Sequence, residues 1–247
     1  MKRVARQPLF LDSSRVSCQS RAYMDTVMDT LDIKICGLKT PEAIAVALGG
    51  GASHVGFIFF PKSPRHIEPE DAATLREAAR GKALAVAVTV DADDGLLDRI
   101  VAAMRPDMLQ LHGRETAERV AAVKARYDLP VIKALSVREA ADLEAIGPYQ
   151  GIADRFLFDA KPPKGSELPG GNGVSFDWSL LSAVPADTDY FLSGGLNAGN
   201  IGEALRVAAP RAIDVSSGVE SAPGTKDPAL IEAFFRAART GRAHRAA

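Results

Sequence analysis

Eight times between residues 31 and 217, a short apolar run gives way to a stretch of mixed character, and this repeat limits the folds open to the chain. The apolar runs cover 31–37, 54–60, 83–90, 108–112, 131–135, 156–160, 190–194 and 213–217. Most are rich in Val, Ile, Leu and Phe, the composition of strands buried on both faces. Amphipathic stretches at 71–80, 95–105, 115–127 and 138–146 read as helices between them, and a last helix at 228–239 follows Asp227 as its cap. Strands that alternate with helices form a parallel sheet. Eight units at this length favour a single α/β domain, a closed (β/α)8 TIM barrel, over an open dinucleotide-binding sheet. No G-x-G-x-x-G follows the first strand, which points the same way.

The barrel domain is expected over 28–247, with no break in composition that suggests a linker. Residues 1–27 stand apart as an N-terminal extension. Before Met24 lie Lys2, Arg3, Arg6, Arg15 and Arg21 against the single acid Asp12. That composition fits a transit-type leader, a short disordered tail, or an over-extended start with Met24 or Met28 as initiator.

Charge and cysteine usage exclude several classes of function. The net charge of −1 gives no field that would recruit nucleic acid or an anionic membrane. No apolar run approaches the roughly 20 residues of a spanning helix. Cys18 and Cys36 form no C-x-x-C and no disulfide framework, so a cytoplasmic location is expected. His54, His66, His112 and His244 lack metal-ligand spacing, and neither a metal nor an organic cofactor is expected. No obligate protein partner is expected either.

Chemistry concentrates at the strand ends. Cys36 closes the first strand, just before Lys39-Thr40-Pro41-Glu42, where Thr40 can cap a helix, Pro41 suits its first position and Glu42 suits its positive end. Asp159 ends the sixth strand in the same way. In a barrel these ends converge on one face, so a thiol and a carboxyl meet there as an acid/base pair. The alternative for Cys36 is a small buried hydrophobe. A thiol with a free pKa of about 8.5 must be lowered to act as a base, and nearby positive charge such as Lys34 can do this.

The last two strands run into Ser193-Gly194-Gly195-Leu196 and Ser216-Ser217-Gly218-Val219-Glu220. Loops at these two positions commonly bind phosphate, because glycines let backbone N–H groups approach its oxygens and serine hydroxyls add donors. Gly194, Gly195, Ser216, Ser217 and Gly218 are the candidates. Arg65, on a proline-stiffened loop after the second strand, either clamps a carboxylate by two points or is an ordinary surface arginine. His112 either lines the mouth or satisfies a hydrogen bond within the barrel. Asp214 either orients the substrate or pairs with Lys34 or Lys133. The glycine-rich loop 161–173 is long enough to close over the site.

Together these motifs resemble the phosphoribosylanthranilate isomerase family of tryptophan biosynthesis. The resemblance rests on Lys34-Ile35-Cys36-Gly37-Leu38, Ser63-Pro64-Arg65, Gln110-Leu111-His112-Gly113, Phe158-Asp159-Ala160, Gly170-Gly171-Asn172-Gly173 and Asp214-Val215-Ser216-Ser217-Gly218-Val219-Glu220. It runs in order from about Leu31 to Phe235, and departs from the family's pattern only in the extension and in Phe158, where leucine is frequent. It implies a phosphorylated aminoaldose substrate and an Amadori rearrangement. In that pattern Asp159 is the general acid, Cys36 the general base, Arg65 the holder of the anthranilate carboxylate and the two late loops the holders of phosphate. The alternatives are another phosphosugar isomerase or epimerase on the same barrel, or a non-catalytic phosphate-binding barrel. The aspartate expected at position 36 of an imidazole-pathway isomerase and the metal set of an epimerase are both missing, and intact Cys36 and Asp159 argue against a mere binder.

Overall fold

The computed structural model describes residues 31–246 other than Lys164 and Glu167; the extension 1–27 and those two positions of the 161–173 loop lie outside the described residues. Eight parallel strands close a barrel in sequence order: β1 (Asp32–Cys36), β2 (His54–Phe59), β3 (Leu84–Thr89), β4 (Met108–Leu111), β5 (Val131–Val137), β6 (Arg155–Ala160), β7 (Tyr190–Leu192) and β8 (Ala212–Val215). The closing pair sets Lys34 opposite Asp214, and the β1–β2 pair sets Cys36 opposite Gly56.

Outside the barrel run α1 (Pro41–Gly50), α2 (Pro69–Ala79), α3 (Asp94–Met104), α4 (Ala117–Tyr127), α5 (Ile201–Ala208) and α6 (Pro228–Ala246). The cap expected for α1 is present: Thr40 Oγ1 accepts from Ala43 N at 3.2 Å, and Pro41 opens the helix. Asp227 Oδ1 likewise accepts from Ala229 N and Leu230 N at the start of α6. After β5 and β6 the chain forms 3-10 helices, Ala140–Tyr149 and Trp178–Ala183, where amphipathic α-helix was expected from residue 138 and after Asp177. Gly147 and Pro148 lie inside the first, and proline there cannot supply an N–H to an α-helical ladder.

Alternation along each strand divides the core in two. Ile33, Ile35, Val55, Phe57, Leu109 and Phe158 face outward and pack under the helices. Cys36, Val86, Val88, Met108, Ile132, Ala134, Leu157, Phe191 and Ala212 fill the lumen. Each fully buried side chain of this kind contributes about 1.5–3 kcal/mol. The lumen parity also places Lys34, Asp159 and Asp214 inward. All three are at most 5% exposed. The lumen is thus apolar in its middle, with charged side chains toward its C-terminal rim and Asp32, His54 and Arg155 at the opposite end. After β8 comes a short hairpin, β9 (Glu220–Ala222) and β10 (Thr225–Lys226), before α6 begins.

Candidate active site

The C-terminal rim of the barrel opens into one cleft of about 670 Å³, counting the space at its mouth. That size suits a small molecule. Cys36, Arg65, His112, Asp159, Gly194, Gly195, Asp214, Ser216 and Ser217 all line it. Strand ends and loops up to 181 positions apart in sequence are brought together by barrel closure alone. Gly218 does not line the cleft. Its Cα faces the Leu196 carbonyl so closely that a Cβ would collide with the oxygen, so this glycine packs the two late loops together. Gly194 and Gly195 both hold left-handed backbone, with φ of 88° and 63°, which explains glycine at both places. Strands β7 and β8 end at Leu192 and Val215, two residues short of the apolar runs, so the candidate phosphate residues stand on loops rather than on strands.

Asp159 is held from one side only. Its Oδ1 accepts from Ala160 N at 2.9 Å, which leaves Oδ2 to face the cleft. His112 Nε2 stands 3.4 Å from that Oδ2. Gln110 Nε2 and His112 Nδ1 are hydrogen-bonded at 2.9 Å, which leaves Nε2 turned toward Asp159. His112 therefore does both things foreseen for it: it lines the mouth and bonds within the barrel. Gly170 of the long loop lies against Oδ2 and the His112 ring with no room for a Cβ, so this loop covers the acid.

Cys36 sits in a charged setting. Lys34 Nζ, two residues earlier on the same face, donates to Asp214 Oδ1 at 2.8 Å, and Ser193 Oγ donates to Asp214 Oδ2 at 3.2 Å. Of the two partners foreseen for Asp214, Lys34 is the one it takes. Lys133 has the opposite strand parity and points outward, where its Nζ donates to Glu115 Oε2 at 2.8 Å and to Gly113 O at 2.8 Å. That outer pair braces the turn just after His112. Burial penalises the Lys34 charge, but Asp214 and Cys36 outweigh it and hold its pKa above the usual value.

The thiol itself departs from expectation. Burial pushes Cys36 up; Lys34 and Lys226 pull it down, Asp214 pushes it further up, and the net direction is upward. The free site thus stores a thiol. Further positive charge in the cleft is needed to favour the thiolate. Gly56 makes this crowding possible, since a Cβ there would lie 2.9 Å from Cys36 Sγ and 3.2 Å from Lys34 Cε.

Arg65 is buried, not a surface arginine, and its fork is partly occupied. Nε and Nη2 donate to Glu220 Oε1 and Oε2 at 2.8 and 2.9 Å, and Nη2 also donates to Gly171 O at 3.3 Å. A two-point grip on a substrate by the Nε edge is therefore taken, and Nη1 carries the free donors. Lys226 Nζ donates to Glu220 Oε1 at 2.7 Å. Burial disfavours the Glu220 charge, yet Arg65 and Lys226 outweigh it and its pKa lies below the ordinary range. Burial holds Lys226 below its ordinary value. Glu220 was visible in the sequence only as the end of a motif. Lys226 carried no signal, because nothing local distinguishes it from a turn lysine. Among the described residues, no group of three or more His, Cys, Asp or Glu is placed to hold a metal ion.

Known proteins give the same picture from outside. Residues 33–237 match the family described as N-(5'phosphoribosyl)anthranilate (PRA) isomerase. The chain is 74% identical over 217 residues to the N-(5'-phosphoribosyl)anthranilate isomerase of Mesorhizobium japonicum, covering 88% of this chain and 99% of that one. It is 73% identical over 207 residues to the enzyme of the same name from Brucella canis, covering 84% and 93%. Among solved structures, the phosphoribosyl anthranilate isomerase of Thermotoga maritima superposes with a TM-score of 0.76 at 36% identity, over 85% of this chain and 100% of that one. A phosphoribosyl anthranilate isomerase in complex with reduced 1-(o-carboxyphenylamino)-1-deoxyribulose 5-phosphate superposes with a TM-score of 0.74 at 34% identity, over the same shares.

Proposed function

The chain belongs to the N-(5'-phosphoribosyl)anthranilate isomerase family, and we propose that Cys36 and Asp159 divide the acid–base work of its reaction. It converts N-(5'-phosphoribosyl)anthranilate to 1-(2-carboxyphenylamino)-1-deoxyribulose 5-phosphate, an Amadori rearrangement in tryptophan biosynthesis. The observation that carries the division of roles is that both side chains enter one cleft from the rim ends of β1 and β6.

Asp159 acts first. Oδ1 is bound to Ala160 N–H, so Oδ2 is the oxygen that faces the cleft and delivers the proton. Its transfer to the ribose ring oxygen breaks the bond between that oxygen and C1, and the anthranilate nitrogen supplies the electron pair for a C1=N Schiff base. The carboxylate left behind lies 3.4 Å from His112 Nε2. The protonated Schiff base brings a positive charge beside Cys36. Together with Lys34 and Lys226 it favours the thiolate that burial disfavours in the free site. The thiol gives its own proton to solvent and the thiolate then takes the proton from C2, while solvent restores the proton that Asp159 gave up; the electrons form C1=C2 and neutralise the nitrogen. The enolamine tautomerises to the ketone, with no net change in protons.

Arg65 Nη1 anchors the ring carboxylate, and Gly194, Gly195, Ser216 and Ser217 hold the phosphate. Asp214 acts from behind, fixing Lys34 beside the thiol. We place the enzyme in the cytoplasm; among the described residues no helix is long and apolar enough to cross a membrane. The test is turnover of freshly prepared phosphoribosylanthranilate by the purified chain. Fluorescence loss with stoichiometric product is expected, and undiminished turnover by Cys36→Ser or Asp159→Asn would overturn the assigned roles.

A further inference from the structure

Arg65 is aimed by residues that lie beyond the cleft lining. Glu220 grips its Nε and Nη2, and Lys226 grips Glu220 in turn. The side chains of all three are at most 5% exposed. Two buried cations share one buried anion, so the cluster carries a net charge of +1, and among the described residues no second carboxylate is bonded to it. A buried charge left without a counter-ion is costly, and an anion arriving at Nη1 removes that imbalance. The hairpin that carries Glu220 and Lys226 is also seated on the Arg65 loop. Gly224, with φ of 81°, presses its Cα against the Pro64 carbonyl, and its N–H donates to Glu220 Oε2 at 3.2 Å. On the other side, Lys226 Nζ donates to Ser216 O at 2.8 Å, and Ser216 Oγ donates to Cys36 O at 3.1 Å.

We propose that Glu220 and Lys226, on the β9–β10 hairpin, are positioning residues that aim Arg65 Nη1 at the substrate's aromatic carboxylate and tie that anchor to the phosphate loop at Ser216. The inference rests on the reading of Arg65 as the carboxylate anchor. Glu220 spends the Nε edge of the guanidinium and so fixes its plane. Lys226 holds Glu220 and the β8 loop with one ammonium, so the two ends of the substrate are gripped by one rigid unit.

The test uses two ligands: reduced 1-(o-carboxyphenylamino)-1-deoxyribulose 5-phosphate and the same compound without the ring carboxylate. Calorimetric affinities are measured for the full chain, Glu220→Gln, Arg65→Lys and the double variant. Glu220→Gln should weaken the carboxylated ligand about tenfold and change the other by less than about twofold, the scale of one misaligned charge-assisted bond. In the Arg65→Lys background the same change should add nothing. Equal losses for both ligands, or a Glu220→Gln effect that persists without Arg65, would overturn the proposal. If Arg65→Lys weakens both ligands equally, the anchor reading fails and this inference with it. Should Glu220→Gln not stay folded, Glu220→Asp keeps the charge, shortens the reach and must show the same selective loss. Lys226→Met should weaken both ligands, because it also frees Ser216; a loss confined to the carboxylated one would break the proposed tie to the phosphate loop.

Discussion

Replacing Lys34 with Met separates the charge beneath the thiol from the space it fills. The ammonium is fully buried and 2.8 Å from Asp214 Oδ1, whose own side chain is 6% exposed. Without it, Asp214 keeps only the Ser193 hydroxyl as a side-chain partner among the described residues. Breaking a buried pair by removing one partner costs about 3–5 kcal/mol. Against a typical domain stability of about 5–15 kcal/mol, that is a large fraction, though the barrel should remain folded at 25 °C. The second effect is on Cys36. Burial is the largest influence on the thiol and raises its pKa, while Lys34 is the largest influence opposing it, so Lys34→Met must push the thiol further up. A smaller thiolate fraction slows removal of the C2 proton, so kcat/KM at pH 7 should fall by up to about 10²-fold, the low end of the range for a lost general base. The loss should shrink as pH rises, because the acid limb of the profile has moved to higher pH. Lys34→Met/Asp214→Asn removes the orphaned anion as well. It should regain most of the stability and bring the thiol partway back. The assays are urea unfolding and the pH dependence of iodoacetamide alkylation in a Cys18→Ser background, alongside kcat/KM. A Lys34→Met profile lowered equally at every pH, with an unmoved alkylation curve, would refute this reasoning.

Two further outcomes follow from packing and titration. Gly56→Ala should cost about 1–3 kcal/mol and lower activity more than stability, because its Cβ reaches Cys36 Sγ first; full activity in a crystal-clear fold would contradict the contact. Burial holds the His54 imidazole down to about 4, against about 6.5 when unfolded, so the unfolded chain binds more protons between those values. Stability should therefore fall by about 3 kcal/mol as pH drops through that window, and His54→Asn should flatten the slope in urea titrations at pH 7 and 4.5. An unchanged slope would show that other groups set the acid limb.

The barrel was legible because its signals are local. Each strand announces itself by a run of Val, Ile, Leu or Phe, and Thr40 and Asp227 mark helix starts by caps that the structure contains. Strand-end position made Cys36 and Asp159 candidates, and both line the cleft. What stayed hidden depends on closure. Arg65 meets Glu220 across 155 positions, and only the return of the chain past β8 to the β2 loop creates that pair. The spent edge of the Arg65 fork, the outward turn of Lys133 and the packing role of Gly218 belong to the same class. The upward shift of Cys36 was unreadable for another reason: lysine two residues away suggests a lowered pKa, while the burial that outweighs it is a property of the finished lumen.

The central claim is that Asp159 opens the ring and Cys36 removes the C2 proton. The most direct test is the kinetic isotope effect with substrate deuterated at C2 of the ribose, measured for the unaltered chain, Cys36→Ser and Asp159→Asn. Each variant should lose about 10²- to 10⁴-fold in turnover, the usual range for a lost general acid or base. Cys36→Ser should show a larger isotope effect, because proton removal becomes more rate-limiting, and Asp159→Asn should show a smaller one, because ring opening then limits the rate. A reversed pattern, with the larger effect in Asp159→Asn, would contradict the assignment.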